Sequence, residues 1–312
     1  MASCDVAIIG SGPAGCSAAI YAGRDLLDVV VFEKSDFGGQ ITASSEVENY
    51  PGVQRIDGYS LMSTMRDQAT SFGARFAQSQ VTALEVALDG EFTLRSDAGS
   101  YVAKAVIACL GRSPARAGFA GEIEFTGRGV SYCATCDAMF YRNKQVFVCG
   151  GGNSAAEEAL FLSRFASSVT LLVRKGFMRA EAGLVGRLQT TTNIEIRYNT
   201  SIVAVRGSDL LNAIVLRDNV TGQESLLEFD EGGFGVFVYV GANPNTGLLN
   251  GFVAFNDAGY VQTDDTMATS TPGLFVAGDC RASNLKQVVT AVSDGAIAAV
   301  SASKYLSSVK TR

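Results

Sequence analysis

Asp5-Val-Ala-Ile-Ile-Gly-Ser-Gly-Pro-Ala-Gly-Cys-Ser-Ala-Ala-Ile-Tyr-Ala-Gly23, followed by Val29-Val-Val-Phe-Glu33, decides how this chain folds. An apolar strand runs straight into three spaced glycines, a small-residue helix, a second apolar strand and an acid. Gly10 permits the tight turn, Gly12 lets a pyrophosphate approach the backbone, and Gly15 lets helix and strand pack closely. Pro13 and Ala14 open the helix, whose N-terminus attracts an anion. Glu33, 18 residues after Gly15, is placed to accept from the ribose hydroxyls of an adenosine.

The same unit recurs. Lys144-Gln-Val-Phe-Val-Cys149 is a strand, Gly150-Gly-Gly152 a turn, Ala156-Glu-Glu-Ala-Leu-Phe-Leu-Ser163 a helix and Ser168-Val-Thr-Leu-Leu-Val173 a second strand. Glu33 lies 23 residues after Gly10, whereas the residue 23 after Gly150 is Val173, followed by Arg174 and Lys175 with Arg179 nearby. Cations in place of the acid suit a ribose bearing a 2′-phosphate, hence NADPH at the second site; because a flavin links such a hydride donor to the cysteine pair Cys133–Cys136, the first site with Glu33 suits the adenosine of FAD.

Between the units lie Phe37-Gly-Gly-Gln-Ile41, Glu46-Val-Glu-Asn-Tyr-Pro-Gly52, a helical stretch over 61–72, strands over 75–104 and a buried strand closing at Gly111. Strands over 194–240 stop at Gly241-Ala-Asn-Pro-Asn-Thr246, and the tail holds Gly273-Leu-Phe-Val-Ala-Gly-Asp279, Lys286-Gln-Val288 and a small-residue helix. The pattern predicts an α/β protein of two Rossmann-like three-layer ββα nucleotide-binding domains, the second inserted in the first. Residues 1–114 and 246–312 form the FAD-binding domain, and 115–245 the NADPH-binding domain.

Composition excludes much else. The 312 residues include no histidine, which removes Ser-His-Asp catalysis and His metal ligation. A net charge of −6 argues against nucleic acid, and no apolar run approaches the ~18–20 residues of a membrane span. The start shows no basic stretch before its first strand, so no secretory signal is expected; with seven cysteines, an odd number, the chain reads as cytoplasmic with mostly free thiols.

Cys4, Cys16, Cys109, Cys149 and Cys280 sit in apolar surroundings and read as small buried hydrophobes. Cys133 and Cys136 differ, for their spacing closes a small reversible disulfide ring. No second such pair completes a zinc site, so no metal is expected. Asp137 is the proton carrier at hand in a histidine-free chain; its alternative reading is a helix cap.

Taken together, Ser11-Gly-Pro-Ala-Gly15, Gly38-Gly-Gln-Ile-Thr42, Glu46-Val-Glu-Asn-Tyr-Pro-Gly52, Cys133-Ala-Thr-Cys-Asp137, Gly150-Gly-Gly-Asn-Ser-Ala-Ala-Glu-Glu-Ala159, Gly278-Asp279 and Lys286-Gln-Val288 resemble the low-molecular-weight, bacterial-type thioredoxin reductases over nearly the whole chain. The resemblance implies a homodimer with one FAD per subunit, and NADPH passing electrons through FAD and a Cys133–Cys136 disulfide to thioredoxin or a thioredoxin-like protein. It assigns Cys136 as the flavin-facing, charge-transfer thiolate, Cys133 as the residue attacking the partner disulfide, and Asp137 to proton handling. It places FAD against Gly39, Gln40, Ile41, Asn49, Val81, Gly111, Gly278, Asp279, Lys286, Gln287 and Val288 besides the first glycine turn. NADPH falls on Gly152, Asn153, Ser154, Ala155, Glu158, Arg174, Lys175 and Arg179. It also implies rotation of the inserted domain between two states. Arg128, Met139, Phe140, Tyr141 and Arg142 flank the dithiol as a candidate docking face.

The family's usual His-Arg-Arg reads Val173-Arg-Lys175 here, which leaves room for NADH. Its Arg-Gln-Ala reads Lys286-Gln-Val288, its Ala-Thr-Gly reads Cys109-Leu-Gly111, and the His before Pro-Asn-Thr is absent. Competing readings are a ferredoxin-dependent flavin thioredoxin reductase, a dithiol oxidase of the same fold, and a nucleotide-sensing binding protein. The intact second glycine motif weighs against the first, and the intact Cys-Ala-Thr-Cys-Asp against the last.

Overall fold

The computed structural model describes residues 2–310 apart from 45, 46, 48 and 89, and excludes the side chains of 43, 135, 136 and 310. Elements in chain order are β1 (Ala2–Ile9), α1 (Pro13–Arg24), β2 (Val29–Glu33), α2 (Gly58–Ser71), β3 (Arg75–Gln78), β4 (Val81–Val86), β5 (Phe92–Ser96), β6 (Gly99–Ala108) and β7 (Arg112–Pro114). Next come β8 (Val130–Ser131), α3 (Ala134–Asp137), β9 (Gln145–Cys149), α4 (Asn153–Leu162), β10 (Ser168–Val173), α5 (Ala182–Thr190), β11 (Ile194–Tyr198), β12 (Thr200–Gly207), β13 (Leu211–Asp218), β14 (Glu224–Glu228) and β15 (Phe234–Val238). The chain closes with β16 (Ala242–Pro244), β17 (Leu274–Val276) and α6 (Val288–Lys310). None of the described helices is long and apolar enough to cross a membrane.

Two compact units result: Met1–Ser113 with Asn243–Arg312, and Pro114–Ala242. The boundaries expected after 114 and 245 fall instead after 113 and 242. Asn245 belongs with the first unit because it is bonded there: its N–H donates to Gly111 O (3.0 Å), its Nδ2 to Leu110 O (3.1 Å), and its Oδ1 accepts from Ser113 Oγ (2.8 Å).

In the first unit the parallel order is β3-β2-β1-β6-β17. On its edge away from β1 the ten-residue β6 serves two neighbours: Gly99–Ala103 pair with β5, continuing to β4 as an antiparallel meander, and Val106–Ala108 pair with β17. Strand alternation sorts side chains into two cores. Val6, Ile8, Val29 and Val31 pack with the alanines of α1 and α6; Ala7, Ile9, Val30 and Phe32 pack against Phe92 and Leu94. A β-carbon on Gly295 would lie 2.0 Å from Ala14 O, so α6 reaches α1 only through a glycine. Asp57 starts α2 by accepting from Ser60 N at 2.9 Å.

The second unit repeats the plan. Its five-stranded parallel sheet runs β11-β10-β9-β15-β8, and the separate antiparallel sheet β12-β13-β14 forms another layer. Val146, Val148, Val169 and Leu171 face α4 and Leu188 of α5; Phe147, Leu172, Phe234 and Val236 face Ile202, Ile214 and Leu216 of the small sheet. Both units are therefore three-layer ββα folds, each with a glycine turn between its first strand and first helix.

Candidate functional site

At the first turn Gly10 adopts φ +106°, and a β-carbon there would meet Cys109 O at 2.2 Å. On Gly15 it would meet Gly10 O at 1.9 Å, whereas on Gly12 the nearest atom is Gly38 O at 3.8 Å. Gly12 thus faces open space at the start of α1, with Pro13 at the first helical position and Ala14 buried behind it. Ser11 is fully buried and organises the acid: its N–H and Oγ–H both donate to Glu33 Oε2 at 2.9 Å, and its Oγ accepts from Gly38 N at 2.9 Å. Ser35 N holds the other carboxylate oxygen at 3.2 Å. A carboxylate fixed beside an open glycine turn fits an adenosine diphosphate moiety such as that of FAD.

The remaining first-unit candidates converge by contacts. Gly39, Gln40 and Ile41 form a 3-10 turn, and Gly39 lies against Gly12. Gln40 Nε2 donates to Arg112 O, next to Gly111, and Arg112 Nε pairs with Asp279 Oδ2 at 3.2 Å. Burial pushes the Asp279 carboxyl up, against the opposing pull of Arg112 and Lys286. Lys286 donates to Arg281 O and to Ser283 Oγ (3.0 Å) and lies 4.4 Å from the Tyr260 ring centroid. Asn49 Nδ2 donates to Gln287 Oε1 at 3.1 Å, just before Val288 begins α6. Gly278 N donates to Asp294 Oδ2 (3.1 Å), which Arg281 grips through two bonds. Val81 differs: its side chain belongs to the core, and only the nearby Ser79 N reaches Glu33 O, at 2.8 Å. Glu46 and Glu48 lie outside the described residues.

In the second unit Gly150 has φ +153°, where a β-carbon would meet Tyr239 O at 2.3 Å. Gly152 has nothing within 4 Å of that position, which fits a second dinucleotide. Asn153 and the exposed Ser154 begin α4, with Ala155 buried. Asn153 exchanges bonds with Glu181, accepting from its N–H (2.9 Å) and donating to its Oε1 (3.0 Å). Arg174, Lys175 and Arg179 are all exposed beyond β10, and Arg179 N ties their loop to Gly151 O at 2.6 Å. Glu158 is pushed up to about 7 by burial and by neighbouring Glu157.

Cys133 is in a disulfide, whereas Cys4, Cys16, Cys109, Cys149 and Cys280 are free, their thiols raised by burial. Cys136 stands on α3, its side chain outside the described set. Ser131 Oγ accepts from Cys133 N (3.0 Å) and donates to Cys133 O (3.2 Å). Asp137 N returns to Cys133 O at 3.2 Å, closing one helical turn. Before the cysteine, Tyr132 O–H donates to buried Glu122 Oε1 (2.7 Å), whose carboxylate also takes Ala117 N and Gly118 N at 2.9 and 2.6 Å. After it, Ala134 N donates to the Tyr239 hydroxyl oxygen at 2.6 Å. Met139 and Phe140 are 60% and 70% exposed, enough to leave an apolar surface beside α3, and Arg128 and Arg142 are exposed too.

Residues 4–295 match the family described as Pyridine nucleotide-disulphide oxidoreductase. The chain belongs to that family. Within it, the thioredoxin reductase of Peptoclostridium acidaminophilum is 42% identical over 306 residues, covering 97% of this chain and 96% of that protein. The crystal structure of Lactococcus lactis thioredoxin reductase, 36% identical, covers 98% of this chain and 99% of its own with a TM-score of 0.87. That of T. acidophilum thioredoxin reductase, 34% identical, covers 99% and 100% at 0.84. The oxidoreductase is of the bacterial thioredoxin reductase type, an enzyme using a flavin and a pyridine nucleotide.

Ser11, Arg112, Arg281, Asp294, Glu122 and Tyr239 of this oxidoreductase went unread in the sequence. Ser11 carried a signal, lying inside the glycine motif as a small polar residue. Glu122 and Tyr239 reach the redox segment across 10 and 105 residues, and neither separation has a periodic signature.

Proposed function

We propose that this oxidoreductase is an NADPH-dependent thioredoxin-disulfide reductase. FAD is held by the first unit, NADPH by the second, and a Cys133–Cys136 disulfide passes electrons to thioredoxin or a thioredoxin-like protein. The disulfide at Cys133, in a chain whose other described cysteines are free and buried or half-buried, carries this reading. A flavin, when bound, supplies the link between a two-electron hydride donor and a disulfide. Glu33, oriented by Ser11 and Ser35, holds the adenosine ribose, and the turn at Gly10–Gly15 receives the pyrophosphate. Gln40, Asn49, Gly111, Asp279, Lys286, Gln287 and Val288 line the rest of that site. Arg174, Lys175 and Arg179 recognise the 2′-phosphate, and Gly152–Ala155 the second pyrophosphate. Asp137 holds and returns the proton at the dithiol. Met139, Phe140 and Arg142 present the docking face. Val289, Ile297 and Val300, partly exposed along one side of α6, support a homodimer, and the buried free thiols support a cytoplasmic setting.

Anaerobic titration of the flavin-loaded protein with NADPH and then NADH, followed by the flavin's visible absorbance, tests the reading. Bleaching by NADPH at lower concentration than NADH is expected. A flavin that neither nucleotide bleaches would overturn the donor assignment in favour of ferredoxin or oxygen chemistry.

A further inference from the structure

Tyr239 touches both features that the second unit brings to the chemistry. Its backbone N–H donates to Cys149 O at 2.7 Å, and its carbonyl oxygen stands where a β-carbon on Gly150 would come within 2.3 Å. The main chain at 239 is thereby a wall of the second glycine turn. Its side chain reaches the other way, and the hydroxyl oxygen accepts from Ala134 N, the first helical amide after Cys133.

That amide has no intrahelical acceptor, since the first N–H groups of a helix are left over by the i→i−4 pattern. Ala134 is 1% exposed, so water does not replace the phenol. The bond is thus the described partner of a group that must be partnered. By spending a lone pair on Ala134, the hydroxyl turns its own proton elsewhere. Glu158 on α4 and Asp137 on α3 are the charged groups that bear on it, and both act to keep the phenol protonated. Tyr141, a half-buried phenol on which Asp137 also bears, packs edge-on to Phe237 of β15.

We infer that Tyr239 is a positioning residue for the redox segment: its hydroxyl fixes the start of α3, and so the geometry of the Cys133 disulfide, against the wall of the second nucleotide turn. The inference rests on Cys133 being the redox cysteine proposed above. The structure holds the hydroxyl–amide bond in the disulfide-bearing form, and the inference is that opening the ring loosens it. Deleting it therefore costs that form more than the dithiol, and the equilibrium moves toward the dithiol.

The test equilibrates full-length, flavin-loaded protein in dithiothreitol redox buffers, quenches by alkylation and quantifies labelled Cys133 by mass spectrometry. Tyr239→Phe keeps the ring and should shift the equilibrium constant toward the dithiol by about twofold or more, roughly 9 mV for a two-electron couple. A smaller shift, whatever happens to the melting temperature, overturns the inference, because a merely structural role lowers stability in both redox states. Tyr239→Leu removes the same acceptor together with the ring. It should shift the equilibrium in the same direction, and it carries the test if Tyr239→Phe does not fold. If wild-type Cys133 cannot be reduced at all, the redox assignment itself fails, a result distinct from all of these.

Discussion

Arg281 and Asp294 grip each other through two bonds, Nε to Oδ2 at 2.6 Å and Nη2 to Oδ1 at 3.0 Å, with side chains only 18% and 9% exposed. The same Asp294 Oδ2 accepts from Gly278 N at 3.1 Å. One carboxylate on α6 therefore fixes the turn that presents Asp279.

Asp294→Ala should consequently be among the most destabilising single changes in the first unit. It strands a largely buried guanidinium and a buried amide, a loss of about 3–5 kcal/mol. Chemical unfolding measures it, and a loss below about 1 kcal/mol would mean that the pair is dispensable.

Gly12 and Gly15 should respond oppositely to alanine. Gly15→Ala pushes a methyl into Gly10 O and should cost about 2–3 kcal/mol or more in the flavin-free protein. Gly12→Ala meets nothing closer than 3.8 Å and should leave that stability within about 1 kcal/mol while abolishing flavin retention. Flavin retained by Gly12→Ala would remove the pyrophosphate from this turn.

Arg174→Ala should raise KM for NADPH about tenfold, worth about 1.4 kcal/mol, with little change for NADH. Steady-state kinetics with both donors decides it. Parallel increases would place Arg174 outside 2′-phosphate recognition.

Glu158 makes stability fall as pH rises. Its carboxyl is raised to about 7 by burial and Glu157, so between the ordinary carboxylate range and neutrality the unfolded chain loses a proton that the native protein keeps. The loss should approach but not exceed about 3 kcal/mol. Urea unfolding at pH 5 and pH 8 should show Glu158→Gln losing less stability across this interval than the wild type. Equal losses would assign the dependence to another group.

Alkylation of the reduced, folded protein at mildly alkaline pH should label Cys133 and spare Cys16, Cys109 and Cys280, all buried and raised in pKa. Mass spectrometry of tryptic peptides reads this directly. Fast labelling of Cys280 would contradict its burial beside Ala108 and Ala277.

Both glycine turns were legible because each of their residues answers a local backbone demand: φ at Gly10 and Gly150, contact at Gly15, open space at Gly12 and Gly152. Glu33 was legible from its offset in a βαβ unit of nearly fixed length. Asp294 was not, since its partners Arg281 and Gly278 are set by where α6 docks rather than by spacing. Tyr239 read as one more apolar position in a buried strand, because an aromatic ring satisfies that pattern whether or not its hydroxyl has work. The boundary near 245 was misplaced for a similar reason: the Asn-Pro-Asn stretch marks a turn, but only tertiary bonds say which unit owns it.

Ala115 N donates to Gly241 O at 2.9 Å, so the second unit begins and ends at neighbouring points on its own surface. An inserted module with adjacent ends is a detachable cassette. Joining those ends to a short linker should let residues 114–242 fold alone. The first unit, for its part, needs only a short loop to close the gap. Evolution can therefore exchange residues 114–242 while leaving the first unit's core residues unchanged, and under the function proposed above donor and acceptor preference would be transplanted whole with them.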